Sequence, residues 1–310
     1  MKPIYALFLL MISSSFACQN PVSEKTTAKF TAYSEAIFTN SKYIADKKYR
    51  IYLPPSYSAI KEKRYPVLYM MDGNNLFHNS EAMGTASWNV HSVADSLSKA
   101  GLMQEIIIVG VDHAAEKRFA EYMPQKPMED FLATNKADLP RFLNHKVFSD
   151  AFLNFLTKEL KPQIDQDLRT KKTVSDTYIA GASMGGLISM YAVCEYPSIF
   201  AGALCLSTHW CVSLDDSTPE AGQALVDYFA ENLPTQKKWY FDYGTLSLDQ
   251  YYGTYQAQVD SILATSGYEG GINWLTKKYE GHTHNEMDWN RRLHIPLTFA
   301  LKKEPTNEKN

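Results

Sequence analysis

The chain predicts an α/β fold, a mostly parallel sheet with helices on both faces. Three observations carry that prediction. Short apolar runs closed by turn residues alternate with segments whose apolar residues recur at helical spacing. The runs are continuously apolar, as strands buried on both faces are. Finally, Gly181-Ala-Ser-Met-Gly185 stands between one such run and a helix-like segment. Folds of this kind place their functional groups at the carboxyl ends of the strands.

Taken in order, Tyr49–Leu53 is a strand ending in Pro54-Pro55, Val67–Met71 is an apolar run closed by Asp72-Gly73, and Ile106–Val111 is rich in β-branched residues. Val90–Lys99 reads as a helix between them. Ala151–Leu160 repeats its apolar residues at helical spacing, with Ser149 or Asp150 placed to cap it. The stretch Pro124–Lys146 contains Pro127 and Pro140 and reads as irregular, a candidate substrate-covering insertion. Later strands are Thr177–Ala180, Ala201–Leu206, Trp239–Tyr243 and Trp274–Tyr279. Helices at Gly186–Cys194, Glu220–Glu231, Gln250–Thr265 and Trp289–Lys302 fill the intervals.

At 310 residues, 45% hydrophobic and 21% charged, the chain can bury one large core. A net charge of −3 with scattered Lys and Arg offers no stripe for nucleic acid, which is not expected as a partner. Residues 1–17 carry one Lys, then an apolar run too short to span a bilayer, ending in Ser15-Phe-Ala17 before Cys18. This reads as a signal peptide followed by a lipidation site at Cys18, with ordinary signal cleavage near Ala17 or a retained anchor as the alternatives. Export from a bacterial cytoplasm follows, to the periplasm or to a membrane through a lipid anchor, with 18–40 as a polar tether. Residues 41–303 then form the folded domain and 304–310 a polar tail. Three further cysteines are an odd number, which argues against a disulfide framework, although a Cys205–Cys211 bridge is sterically conceivable.

Gly181-Ala-Ser-Met-Gly185 has the form of a nucleophile elbow, in which small flanking residues let a sharp strand-to-helix turn present Ser183 above the sheet. This makes the fold an α/β-hydrolase. A serine hydroxyl needs a base within reach and an acid to orient that base, in the chain order serine, acid, histidine. His282 and His284 follow the last strand, in Glu280-Gly-His-Thr-His-Asn-Glu286, where the base belongs. Asp249, past the Gly244 turn, is the expected acid, with Asp242 in the preceding strand as the rival and Asp260 and Asp288 behind them. Two N–H groups must meet the developing oxyanion, one from Met184 and one from Asp72-Gly-Asn-Asn75, through Asn74 or Asn75.

Tyr69–Phe77, Arg118–Pro124, Gly181–Leu187, Tyr196–Phe200, Ser207-Thr-His-Trp210, Phe241–Thr245 and His284–Trp289 together resemble the esterase family of esterase D, enterobactin esterases, feruloyl esterases and mycolyltransferases. The resemblance runs from about Tyr43 to Leu301. It implies acyl-group cleavage or transfer with no cofactor, and a base followed five positions later by an aromatic residue. Trp289 stands five after His284, whereas Met287 stands five after His282, so His284 is favoured. A metal reading of His282, His284, Glu286 and Asp288 explains less, and no metal is expected. Arg118, Glu121 and Tyr122 are placed to bind a polar part of a substrate or to form a structural ion pair. Trp88, Trp210 and Trp289 could form an aromatic wall for sugar or aryl groups.

The expected function is hydrolysis of a carboxylic ester through Ser183, His284 and Asp249, on a small-molecule or glycan ester such as an acylated sugar, a hydroxycinnamate or a siderophore. An acyltransferase of the same fold, or a non-catalytic binding lipoprotein, are the alternatives.

Overall fold

The computed structural model describes residues 33–79, 86–135 and 146–303. Residues 1–32, with the expected signal peptide and Cys18, lie outside them, as do 136–145 and the tail 304–310. Eight strands form one sheet: β1 (Tyr33–Phe38), β2 (Lys47–Tyr52), β3 (Val67–Met71), β4 (Ile107–Val111), β5 (Thr177–Ala182), β6 (Gly202–Leu206), β7 (Lys238–Gly244) and β8 (Trp274–Tyr279). Their spatial order is β1-β2-β4-β3-β5-β6-β7-β8. β1 pairs antiparallel with β2, and β2 antiparallel with β4, while β3 to β8 run parallel.

Alternation along each strand divides the core between the two faces of the sheet. Tyr69, Val109, Ile179, Cys205 and Phe241 point to one face, covered by helices Ser149–Asp167, Met184–Glu195, Pro219–Glu231 and Gly253–Thr265. Leu68, Met70, Ile108, Ala180, Leu206 and Tyr240 point to the other, under Val90–Lys99 and the two C-terminal helices. The register aligns the carboxyl ends of the parallel strands: Met71 opposite Val111, Ala182 opposite Leu206, and Gly244 opposite Tyr279. Asp72, Ser183, Ser207 and the 280–285 loop therefore leave the sheet along a single edge. No helix among the described residues is long and apolar enough to cross a membrane.

Five elements differ from the expectation. The helix expected at Ala151–Leu160 starts at Ser149, follows Phe148 with no side-chain cap, and passes through a π-helical turn, Leu156–Leu160, into Lys161–Asp167. Tyr33–Phe38, in the expected tether, is instead an edge strand; its Ala36 and Phe38 pack against the core while Glu35 and Ile37 are exposed. Residues 125–135, expected to be irregular, form a helix with Pro127 in its first turn, where a missing N–H costs little. The rest of that insertion, 136–145, lies outside the described residues. The C-terminal helix is two helices, Glu286–Arg292 and His294–Leu301, because Pro296 has no N–H and its ring would collide with the Arg292 carbonyl. Finally, Gln250–Thr265 divides into a 3-10 turn, Ser247–Tyr251, and the helix Gly253–Thr265.

Candidate active site

Ser183 follows β5 directly, with φ 58° and ψ −124°, a conformation L-residues rarely adopt. The turn is held by the Ser183 N–H on the Leu206 carbonyl (2.9 Å) and by the Leu187 N–H on the Ser183 carbonyl (3.0 Å). Its glycines are sterically required. A Cβ on Gly181 would stand 2.5 Å from the Gly185 carbonyl carbon and oxygen, and one on Gly185 would stand 3.1 Å from Asp72 Oδ2. The helix that follows is apolar all round and buried from Met184 to Cys194, so the strained turn is clamped between sheet and core. As the first residue of this helix, Met184 has an N–H with no intrahelical partner.

His284 and Asp249 are brought together. His284 Nδ1 lies 2.5 Å from Asp249 Oδ1, with Asp249 fully buried. The other carboxylate oxygen accepts from the Ser207 hydroxyl and the Gly244 N–H, both at 2.6 Å. Burial alone would raise this carboxyl, but the hydrogen bonds from His284, Ser207 and Gly244 outweigh it and hold it below the usual carboxylate range. The His284 ring is packed edge-on between Trp289 (centroids 5.0 Å apart) and Tyr252 (5.9 Å). The Tyr252 hydroxyl also lies 2.9 Å from His209 Nδ1, and the His209 backbone N–H donates to the Ser183 carbonyl (3.3 Å). In this resting geometry no hydrogen bond joins Ser183 directly to His284, and such contacts commonly close only around a bound substrate.

Asp242 is held elsewhere. One of its oxygens forms an ion pair with Arg292 Nη2 (2.9 Å) and accepts from the Ser207 N–H (3.0 Å), and the other accepts from the Tyr240 hydroxyl (2.9 Å). Burial pushes this carboxyl up to about 6, with Arg292 pulling against it. Asp260 is bound to Thr276 and Gln256, and Asp288 caps the 283–288 turn through Thr283. His282 faces Asp288 at 3.8 Å and lies tilted against the Tyr279 ring.

In the Asp72–Asn75 turn, the Asn75 N–H is engaged by the Asp72 carbonyl (2.8 Å), and its side chain is tied to Asn74 and Glu286. The Asn74 N–H has no acceptor among the described residues, and Asn74 Oδ1 is buried without a partner. Arg118 grips Asp72 with Nε and Nη2 at 2.6 and 2.8 Å, above the Tyr122 ring. Because Asp72 Oδ2 rests against Gly185, this pair abuts the elbow. Tyr122 is fully buried and its hydroxyl accepts from the Asp72 N–H (3.3 Å), so it supports the turn and presents no face to a ligand. Glu121 pairs with Lys47 at 2.5 Å, both buried.

The expected aromatic wall does not form. Trp88 and Trp289 pack together on one side of the sheet, whereas Trp210 is fully buried on the other, against Phe229 and Phe241, with its indole N–H on Gln256. Trp210 is therefore a core residue. Cys194, Cys205 and Cys211 are free, buried thiols, so the Cys205–Cys211 bridge is absent.

Sequence reasoning missed Ser207 and Arg292 as supports of Asp249. Ser207 has φ 41° and no exposed surface; its hydroxyl donates to Asp249 and accepts from Trp289 Nε1 (2.9 Å) and Arg292 Nη2 (2.7 Å). The Ser207–Trp210 motif was the available signal, but it says nothing of which partner the hydroxyl takes.

A Ser-bearing elbow, a histidine bonded to a buried aspartate and a parallel sheet that carries both at one edge define an α/β-hydrolase. Within that class, the chain matches the family described as "Putative esterase" over residues 42–295, and it belongs to that family. It is 28% identical over 155 residues to the uncharacterized protein YbbA of Bacillus subtilis (strain 168), covering 50% of this chain and 54% of YbbA. It is 24% identical over 195 residues to the ferri-bacillibactin esterase BesA of the same organism, covering 60% of this chain and 62% of BesA. The chain thus aligns with less than two thirds of the length of either curated relative. A ferulic acid esterase structure superposes with a TM-score of 0.63 at 20% identity, over 87% of this chain and 97% of that one, which shows the fold.

Proposed function

We propose that the protein hydrolyses a carboxylic ester through Ser183, His284 and Asp249. The observation that carries this reading is the 2.5 Å hydrogen bond between His284 and the buried Asp249, beside a serine held in a strained strand-to-helix turn. Ser183 Oγ attacks the ester carbonyl, and its proton passes to His284 Nε2. Asp249 fixes Nδ1 as the protonated nitrogen and stabilises the imidazolium. The Met184 and Asn74 N–H groups, neither taken up by the fold, meet the oxyanion. His284 then returns its proton to the leaving alkoxide, and water resolves the acyl-enzyme.

The substrate class we infer is an extracytoplasmic ester of the siderophore, hydroxycinnamate or acylated-sugar kind, supported by the names of the two esterases above. The N-terminal sequence supports placing the protein outside the cytoplasm, tethered to a membrane through a lipidated Cys18. The test is Ser183→Ala against wild type on p-nitrophenyl acetate and butyrate. Loss of p-nitrophenol release is expected, and equal rates would defeat the proposal.

A further inference from the structure

Beside Ser183 lies a buried tyrosine to which the mechanism above gives no role. Tyr252 is 1% exposed. Its hydroxyl is 2.9 Å from Nδ1 of His209, which is also 1% exposed, and His209 Nε2 is 3.2 Å from the Val212 carbonyl oxygen. A carbonyl can only accept, so Nε2 carries the ring proton. Burial, aided by the nearby His284, pushes the His209 pKa down to about 3, which leaves the ring neutral and Nδ1 a bare acceptor. Tyr252 therefore donates its only proton to His209. The His209 backbone N–H donates to the Ser183 carbonyl (3.3 Å), and beside that serine the Tyr252 hydroxyl offers lone pairs.

In the acyl-enzyme, Ser183 Oγ is an ester oxygen with no hydrogen to give. We propose that Tyr252, fixed as an acceptor by His209, binds one hydrogen of the deacylating water while His284 removes the other, and so favours water over alcohols as the acyl acceptor. The inference rests on the Ser183–His284 reading. In the step, one O–H bond of the water breaks and its proton goes to His284 Nε2. The water oxygen bonds to the acyl carbon, and the carbonyl electron pair moves onto the oxyanion. Collapse then breaks the bond from the acyl carbon to Oγ, which takes the proton from His284. The second water hydrogen stays on oxygen throughout, bound to Tyr252. An alcohol has a single hydroxyl hydrogen and gives it to His284, leaving the Tyr252 oxygen buried without a donor. Tyr252 is thus a positioning residue whose removal changes the product more than the rate of acylation.

The experiment measures partition of one acyl-enzyme. p-Nitrophenyl butyrate is turned over at a fixed methanol concentration, with p-nitrophenol counting acylation and with methyl butyrate and butyrate measured as products. In Tyr252→Phe the methyl ester to acid ratio should rise about three- to tenfold, the worth of one hydrogen bond. His209→Leu frees the Tyr252 proton, so the hydroxyl can donate to an alcohol oxygen, and the ratio should rise there too. Thermal melts identify which variants are folded, and if Tyr252→Phe is not, His209→Leu decides by the same ratio. An unchanged ratio in the folded variant, with p-nitrophenol release still dependent on Ser183, overturns the role of Tyr252 alone. Release that survives Ser183→Ala instead defeats the catalytic reading beneath it.

Discussion

Two isosteric substitutions at neighbouring buried carboxylates should have opposite signatures. In Asp249→Asn, one oxygen is replaced by an NH₂ that must face either His284 Nδ1 or the Ser207 and Gly244 donors, all within 2.6 Å. Facing Ser207 and Gly244 it opposes donor to donor. Facing His284 it forces the ring proton onto Nε2, where the base must be bare. Either outcome disables proton transfer, and kcat should fall about 10³- to 10⁴-fold, equivalent to about 4 to 5.5 kcal/mol of transition-state stabilisation. Folding should suffer less, since Arg292 keeps Asp242 at 2.9 Å. In Asp242→Asn, a fully buried Arg292 loses that charge partner and is left with Asp249 Oδ2 at 3.7 Å. Breaking a buried pair costs about 3 to 5 kcal/mol, or roughly 6 to 20 °C in Tm for a domain of this size. The His284–Asp249 bond is untouched, so kcat should stay within about tenfold of wild type. Steady-state kinetics on p-nitrophenyl butyrate at pH 8, with a thermal melt of each variant, separates the two effects. An inactive Asp242→Asn beside an active Asp249→Asn would refute Asp249 as the acid.

Ser207→Ala removes a donor to Asp249 and leaves the Trp289 indole N–H unpaired; thermal melting should show a loss of about 2 to 4 kcal/mol, with kcat falling alongside as His284 loses its fixed partner. Gly181→Ala should abolish soluble expression or activity, because its Cβ meets backbone at 2.5 Å, whereas Gly185→Ala, at 3.1 Å from a side-chain oxygen, should fold with reduced activity; expression and kinetics of the two distinguish them. His209 has a folded pKa depressed to about 3 against an unfolded value near 6.5, so the unfolded chain binds the extra proton between these limits. Its contribution to stability is complete above pH 6.5 and declines by roughly 1 kcal/mol per unit as pH falls toward 3. Denaturant melts from pH 7 to 4 should show that slope, flattened in His209→Leu. Cys18→Ser should move the protein expressed in bacteria from the detergent phase to the aqueous phase of a Triton X-114 partition, and an unchanged partition would count against lipidation.

What the sequence made legible depended on how local the physics was. β3 and β8 have the expected bounds, and β4, β5, β6 and β7 differ by one or two residues, because an apolar run closed by turn residues carries its own boundaries. β1 was not legible, since Tyr33–Phe38 is an edge strand whose hydrophobicity is too mixed to separate it from a polar tether. The elbow was readable because its glycine requirement is steric and lies within five residues. The pairing of His284 with Asp249 was inferable only as a chain order, since what selects Asp249 over Asp242 is made elsewhere. Arg292 and Tyr240 hold Asp242, while Ser207 and the Gly244 N–H leave Asp249 one oxygen for the histidine. Trp210 shows the same limit from the other side, because a tryptophan one loop from the elbow is equally compatible with a ligand wall and with the core. Only the direction in which β6 ends, toward Phe229 and Phe241, puts it in the core. Ser207, Arg292 and Phe241 thus set the roles of Asp249, Asp242 and Trp210 from more than thirty positions away in the chain, and the same holds for Tyr252, whose hydroxyl is made an acceptor by a histidine 43 positions earlier.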